Sequence, residues 1–334
     1  MASLPFRALA ALALSISPGA AAFELSIDVT QPAGEPYETA IALIRDAGAG
    51  ATSLSLFWDD LERIEGRYSP EIDWPALANA YYPSAGLSLT LTFSVIDTAT
   101  DRRPARFRQS RWDDPEMIAA FASHIDDVMS RLSDTDVLSV SIGNEVDGFL
   151  ASEKEIAAFA QFLDAARRRV ERWRPGVSIG TKLTYSGFRA DAPRWQPLLA
   201  RSSGVHVTYY PLDEGFRVRP GLDVAADLGH IRHLSGERPV FILEAGYPSE
   251  GCGAESAGQT AFVQALLGAA SARDSGVSLV SLTWLTDLTD AEVEQYRRYY
   301  GVGDDCFARF LASIGLRSQD GDAKPALRWL LERM

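Results

Sequence analysis

The sequence predicts a single (β/α)8 barrel. Three observations carry that expectation: eight strand-like runs, helix-period segments between them, and a chain with no repeat or linker that would divide it. The runs fall at Glu24 to Val29, Thr52 to Phe57, Leu87 to Val95, Val137 to Ile142, Val177 to Leu183, Gly204 to Tyr210, Pro239 to Glu244 and Val277 to Trp284. They read as apolar almost throughout, as strands covered on both faces do. Helical period is clearest from Pro115 to Leu132, where Ile118, Phe121, Ile125, Val128 and Leu132 recur at steps of three and four. Glu153 to Trp173 and Gln259 to Arg273 repeat the pattern. An open doubly wound sheet is the second choice of fold. Against it, the first strand-to-helix turn, Asp28-Val29-Thr30-Gln31-Pro32, lacks the glycines that cradle a dinucleotide. The stretch from Thr286 to Gly321 reads as an elaborated last loop with helical pieces.

Ahead of the barrel, residues 1–22 read as a secretory signal: Arg7 supplies the positive start, Ala8 to Ile16 the apolar stretch, and Ala20-Ala21-Ala22 the cleavage site. That stretch is too short to span a bilayer. The expected mature domain, residues 23–334, is therefore exported to a periplasm or the extracellular medium and carries no membrane segment. Lysine occurs only at Lys154, Lys182 and Lys324, against many arginines, as in GC-rich bacteria. The 334-residue chain is 46% apolar with a net charge of −13, so a nucleic acid or anionic membrane finds no basic face here. A neutral substrate and a monomeric chain are the expectation. Two cysteines, Cys252 and Cys306, are expected to form a disulfide in an exported protein. His230 and His233 lie three apart on a predicted helix without a third ligand in the motif, and neither a metal nor any other cofactor is expected. No Gly-x-Ser-x-Gly elbow marks a serine hydrolase.

In such barrels the chemistry sits where strands end. Here the ends carry Asp28, then Trp58-Asp59-Asp60, Asp97, Asn144-Glu145, Lys182 with Tyr185, Tyr209-Tyr210, Glu244 and Trp284. An acidic and aromatic mouth of this kind suits stacking on, and hydrogen bonding to, a sugar ring. Glu145 and Glu244 end the fourth and seventh strands, and a pair of carboxyl groups facing each other across about 5–5.5 Å is the equipment for cleaving a glycosidic bond with retention. One must be protonated and the other ionised, with Tyr210 a hydrogen-bond donor suited to keeping a nucleophile charged.

Gly143-Asn144-Glu145 ending strand four, with a glutamate ending strand seven, resembles clan A of the glycoside hydrolases over nearly the whole mature chain. Ser26-Ile27-Asp28-Val29, Thr208-Tyr209-Tyr210-Pro211 and Glu244-Ala245-Gly246-Tyr247-Pro248 look most like family 53, the endo-β-1,4-galactanases. Gly143-Asn144-Glu145-Val146 and Glu244 with Gly246-Tyr247-Pro248-Ser249 are similar to family 17, the β-1,3-glucanases. The resemblance implies Glu145 as acid/base, Glu244 as nucleophile, Asn144 bonded to the hydroxyl beside the anomeric carbon, Tyr210 orienting Glu244, and Trp284 as the platform under the sugar. Trp58, Tyr209, Tyr247 and Asp28 are further candidate substrate contacts. The expected activity is that of a retaining β-glycosidase, endo-acting on a neutral β-linked poly- or oligosaccharide. A non-catalytic glycan-binding barrel and a transglycosylase are the alternatives. One departure stands out: clan members carry an arginine on strand two beside the nucleophile, and Thr52-Ser53-Leu54-Ser55-Leu56-Phe57 has none. Arg102, Arg103 and Arg106 after strand three are the candidates to replace it, the alternative being a remodelled or inactive site.

Overall fold

The computed structural model describes residues 23–333. The signal segment, residues 1–22, lies outside them. Ten strands form one sheet: β1 (Glu24–Ile27), β2 (Ala51–Phe57), β3 (Ser88–Asp97), β4 (Thr100–Asp101), β5 (Val137–Asn144), β6 (Ser178–Gly180), β7 (Lys182–Thr184), β8 (Val205–Tyr209), β9 (Val240–Ala245) and β10 (Val277–Leu282). The order is β6-β5-β3-β2-β1-β10-β9-β8-β7, with β4 a short antiparallel addition to β3. β6 and β7 are two halves of one run separated by Thr181 alone, so the sheet's two ends meet in a single stretch of chain. Without β4 and with that run counted once, the parallel sheet has the eight predicted strands and the (β/α)8 architecture.

Between the strands come helices α1 (Tyr37–Asp46), α2 (Trp58–Leu61), α3 (Trp74–Tyr81), α4 (Pro115–Arg131), α5 (Glu153–Trp173), α6 (Tyr185–Ala190), α7 (Ala192–Leu199), α8 (Val224–Ser235) and α9 (Ser256–Ala270). Local chemistry sets their starts. Asp114 accepts from the backbone of Glu116 and Met117 ahead of α4, and Ser152 with Glu155 forms a capping box for α5. The predicted α5 span is matched, and α9 begins three residues before the expected Gln259. After β10, α10 (Asp290–Tyr300) and α11 (Asp305–Ser313) elaborate the last loop, and α12 (Pro325–Arg333) closes the chain.

The strands are not uniformly apolar, contrary to the expectation. β3 alternates: Leu89, Leu91 and Phe93 are buried with the outer helices, Phe93 packing 5.8 Å from Phe121 of α4, while Thr90, Thr92 and Ser94 face the barrel axis. The interior is layered. Leu138, Phe241, Leu243 and Leu279 form an apolar plug. Above it lie small hydroxyl residues whose polar atoms pair, Ser281 with Ser26 and Ser141 with His206. The charged side chains come last, at the mouth. No helix among the described residues is long and apolar enough to cross a membrane.

Candidate active site

Two local distortions aim the glutamates. The register of β9 shifts against β8 between Ile242 and Glu244, so Leu243 packs into the interior plug and Glu244, its neighbour, still lines the mouth. At the end of β5, Gly143 has φ +85°, where any Cβ would lie 2.5 Å from Val146, and Glu145 is left-handed with φ 47° and ψ 48°. That conformation costs a non-glycine residue ~1 kcal/mol or more. It turns the Asn144-Glu145 pair over the mouth.

The two carboxyl groups meet opposite surroundings. Thr98 Oγ1 donates to Glu145 Oε2 at 2.8 Å and Thr208 Oγ1 to Oε1 at 2.7 Å. Both partners are neutral. Burial, and then the charge of Glu244, raise the Glu145 pKa to about 7. Glu244 instead accepts from Lys182 Nζ at 2.9 Å on Oε1 and from Tyr210 OH at 2.9 Å on Oε2. A carboxyl biased towards its neutral form thus stands beside one held by an ammonium and a phenol.

Around them, Asn144 Nδ2 donates to Asp97 Oδ1 at 2.9 Å, and Tyr299 OH donates to Asp97 Oδ2 at 2.8 Å. The Asn144 Oδ1 is buried without a hydrogen-bond partner among the described residues. Trp284 follows a cis peptide from Thr283 and packs 5.8 Å from Tyr296. Asp28 accepts from Ser281 Oγ at 3.2 Å, and burial raises its pKa to about 6.

Two cavities flank the pair. The smaller, about 370 Å³, is lined by Glu145, Tyr210 and an apolar wall that includes Phe216, Phe307 and Phe310. The larger, about 750 Å³, is lined by Asp28, Asp97, Lys182 and Arg102. Asn144, Glu244, Trp284, Tyr296 and Tyr300 border both.

Three predicted contacts are elsewhere. Tyr209 is fully buried on the outer face of β8, its OH donating to Asp227 of α8, because adjacent strand residues point to opposite sides and Tyr210 takes the inward one. Trp58 is buried between Phe107 and Phe121, since Phe57 before it occupies the cavity side. Tyr247 packs on Phe262 of α9. None of the three lines either cavity.

The arginines after β3 are also engaged away from Glu244: Arg102 with Asp59 and Asp60, Arg103 with Asp101, Arg106 with Glu62. The cation beside Glu244 is Lys182, from the fifth strand of the barrel. Its strand-end position marked it in the sequence, yet nothing there indicated its partner. Thr98, Thr208, Tyr296 and Tyr300 were likewise not foreseen; the tyrosines reach the mouth from α10, after the last barrel strand. Cys252 and Cys306 form a disulfide with Cα atoms 5.6 Å apart. His230 lies near the Tyr185 hydroxyl, and no metal-ligand cluster occurs among the described residues.

This fold and mouth define the class: a (β/α)8 barrel built like those of solved glycoside hydrolases. The structure is similar to a GH5_18 protein from Bifidobacterium longum subsp. longum, with a TM-score of 0.71, 16% identity, and coverage of 93% of this chain and 78% of that one. It is similar to a GH5_18 variant from Streptomyces cattleya in complex with Manβ1-4GlcNAc, at a TM-score of 0.70, 17% identity, and coverage of 93% and 80%. It is also similar to the GH53 catalytic domain of Ignisphaera aggregans, at a TM-score of 0.66, 14% identity, and coverage of 94% and 97%. No protein-family model and no curated protein sequence matches the chain.

Proposed function

We propose that this protein is a retaining β-glycosidase that cleaves a neutral β-linked poly- or oligosaccharide after export as a monomer. The observation that carries the reading is the contrast between the two glutamates: Glu145 is pushed to about 7 among neutral donors, while Glu244 sits on Lys182 and Tyr210. In the first step Glu145 gives its proton to the glycosidic oxygen as Glu244 Oε attacks the anomeric carbon, forming a glycosyl ester and releasing the leaving group. In the second, Glu145, now ionised, takes a proton from water as that water displaces Glu244. Asn144, on the border of both cavities, hydrogen-bonds the hydroxyl next to the anomeric carbon, and Trp284 supplies a flat apolar face.

Internal cleavage is the finer reading, supported by cavities on both sides of the carboxyl pair that let a chain pass through. The Lys182–Glu244 pair supports catalysis over a non-catalytic glycan-binding barrel, the alternative suggested by a strand two without arginine. Transfer to a sugar instead of water uses the same two residues.

The test is intact-mass spectrometry after incubation with 2-deoxy-2-fluoro β-glycosides, followed by peptide mapping. The similar structure that holds Manβ1-4GlcNAc places β-mannosides beside β-galactosides and β-glucosides in the panel. A sugar adduct on Glu244 is the expected result. No adduct across the panel would remove the retaining mechanism.

A further inference from the structure

The larger cavity continues past the mouth. Ser55, Phe57 and Asp60 border it and also border a groove of about 510 Å³ whose far wall carries Arg63, Glu71, Ile72 and Trp74. The route follows from strand pairing. β1 joins β2 only at Ser26 and Ala51, and above that point Ser55, although inside a strand, is exposed.

Trp74 is 51% exposed and Ile72 45%, and both line the groove. An indole half in water is an unsatisfied apolar surface, but here it is rigidly presented. Trp74 opens α3, whose cap Asp73 accepts from Ala76 N, from Tyr68 OH and from Arg131 Nε. Beside it Arg63 and Glu71 pair at 2.8 Å, and on the near side Asp60 pairs with Arg102 at 3.0 Å, so the charges at the rim are paired. A flat aromatic face, hydrogen-bonding groups at its edge and no unpaired rim cation suit a neutral sugar rather than an anion.

We propose that this groove is an outer subsite for a neutral β-linked glycan, with Trp74 stacking on a sugar ring on the non-reducing side of the cleaved bond. The inference rests on the glycosidase reading, which fixes the direction. Glu145 borders only the smaller cavity, so the leaving group lies there. The retained sugar lies in the larger one with Asp28 and Lys182, and units beyond it run over Ser55 and Phe57 to Trp74.

Two measurements on Trp74→Ala and Trp74→Phe test this. The first is titration of β-1,4-galactohexaose, β-1,4-mannohexaose and β-1,3-glucohexaose into the full chain carrying Glu244→Gln, with and without Trp74→Ala. The expected result is about a tenfold loss of affinity for the hexasaccharide that binds, ~1.4 kcal/mol, with most of it retained in Trp74→Phe. The second is the ratio of kcat/KM on that hexasaccharide to kcat/KM on an aryl monoglycoside, expected to fall by a similar factor in Trp74→Ala. An unchanged affinity, a parallel fall on both substrates, failure of every hexasaccharide to bind, or a Trp74-dependent dimer in sedimentation would each overturn the subsite. Trp74-dependent binding without any adduct on Glu244 would keep the subsite and remove the retaining mechanism alone.

Discussion

Lys182 Nζ lies 2.9 Å from Glu244 Oε1, across β8 from it, and the lysine side chain is 4% exposed. Glu145, Glu244, Asp28 and Asp97 crowd this mouth, while Arg102 is bound to Asp59 and Asp60. Lys182 is thus the cation paired with Glu244, the nucleophile of the proposed mechanism. Its neighbour in register, His206, is kept neutral by burial, its pKa lowered to about 3, and adds no second charge. Lys182→Met is expected to lower kcat by about a hundredfold or more, as removal of a preorganised charge contact does. The stability cost should be ~2 kcal/mol, below the ~3–5 of a fully buried broken pair, because the Glu244 side chain is 20% exposed. Single-turnover kinetics with thermal unfolding of the variant check both, and near-native turnover would show the lysine to be a bystander.

The pH dependence follows from Glu145. In the proposed mechanism Glu145 must hold its proton, and burial followed by the Glu244 charge raises its pKa to about 7. kcat/KM is expected to fall above pH 7 with the loss of one proton. Glu145→Ala should slow both steps, remove this alkaline limb and recover partly on a substrate with a good leaving group. For stability the sign is the same. A carboxyl whose native pKa lies above its ordinary 4.5 disfavours the folded state increasingly between pH 4.5 and 7, so the Glu145 contribution weakens as pH rises through that window. Denaturant titrations of Glu145→Gln at pH 5 and 8 should show a larger gain at pH 8.

The disulfide closes a separation of 54 residues and contributes ~4 kcal/mol in the chain-entropy model. It ties the loop after β9 to α11, whose Phe307 and Phe310 wall the smaller cavity. The double variant Cys252→Ser with Cys306→Ser is expected to lose roughly 8 °C in Tm and to raise KM more than it lowers kcat. Calorimetry and steady-state kinetics decide. An unchanged KM would separate the bridge from the site.

Much of the barrel was legible because strands and helices leave periodic marks. The eight runs fall on the barrel strands, and the stripe through Phe121, Ile125 and Val128 is the buried face of α4. Single strand-end side chains were harder to read. Trp58 and Tyr209 were candidates by position alone, and a residue's side of the sheet depends on parity: one step along the chain separates core from cavity. Tyr210 and Phe57 took the inward sides.

By itself, the sequence determined the barrel, the cysteine pair and the two strand-end glutamates, since these depend on local pattern and on residue type. Tertiary structure decided which charge meets Glu244, what raises the Glu145 pKa, and where the groove leaves the mouth. Those depend on a register shift in β9, a left-handed residue after β5 and a single-residue pairing of β1 with β2. Each brings together side chains distant in the chain, and the electrostatics of a buried carboxylate is set by such neighbours, not by its own segment.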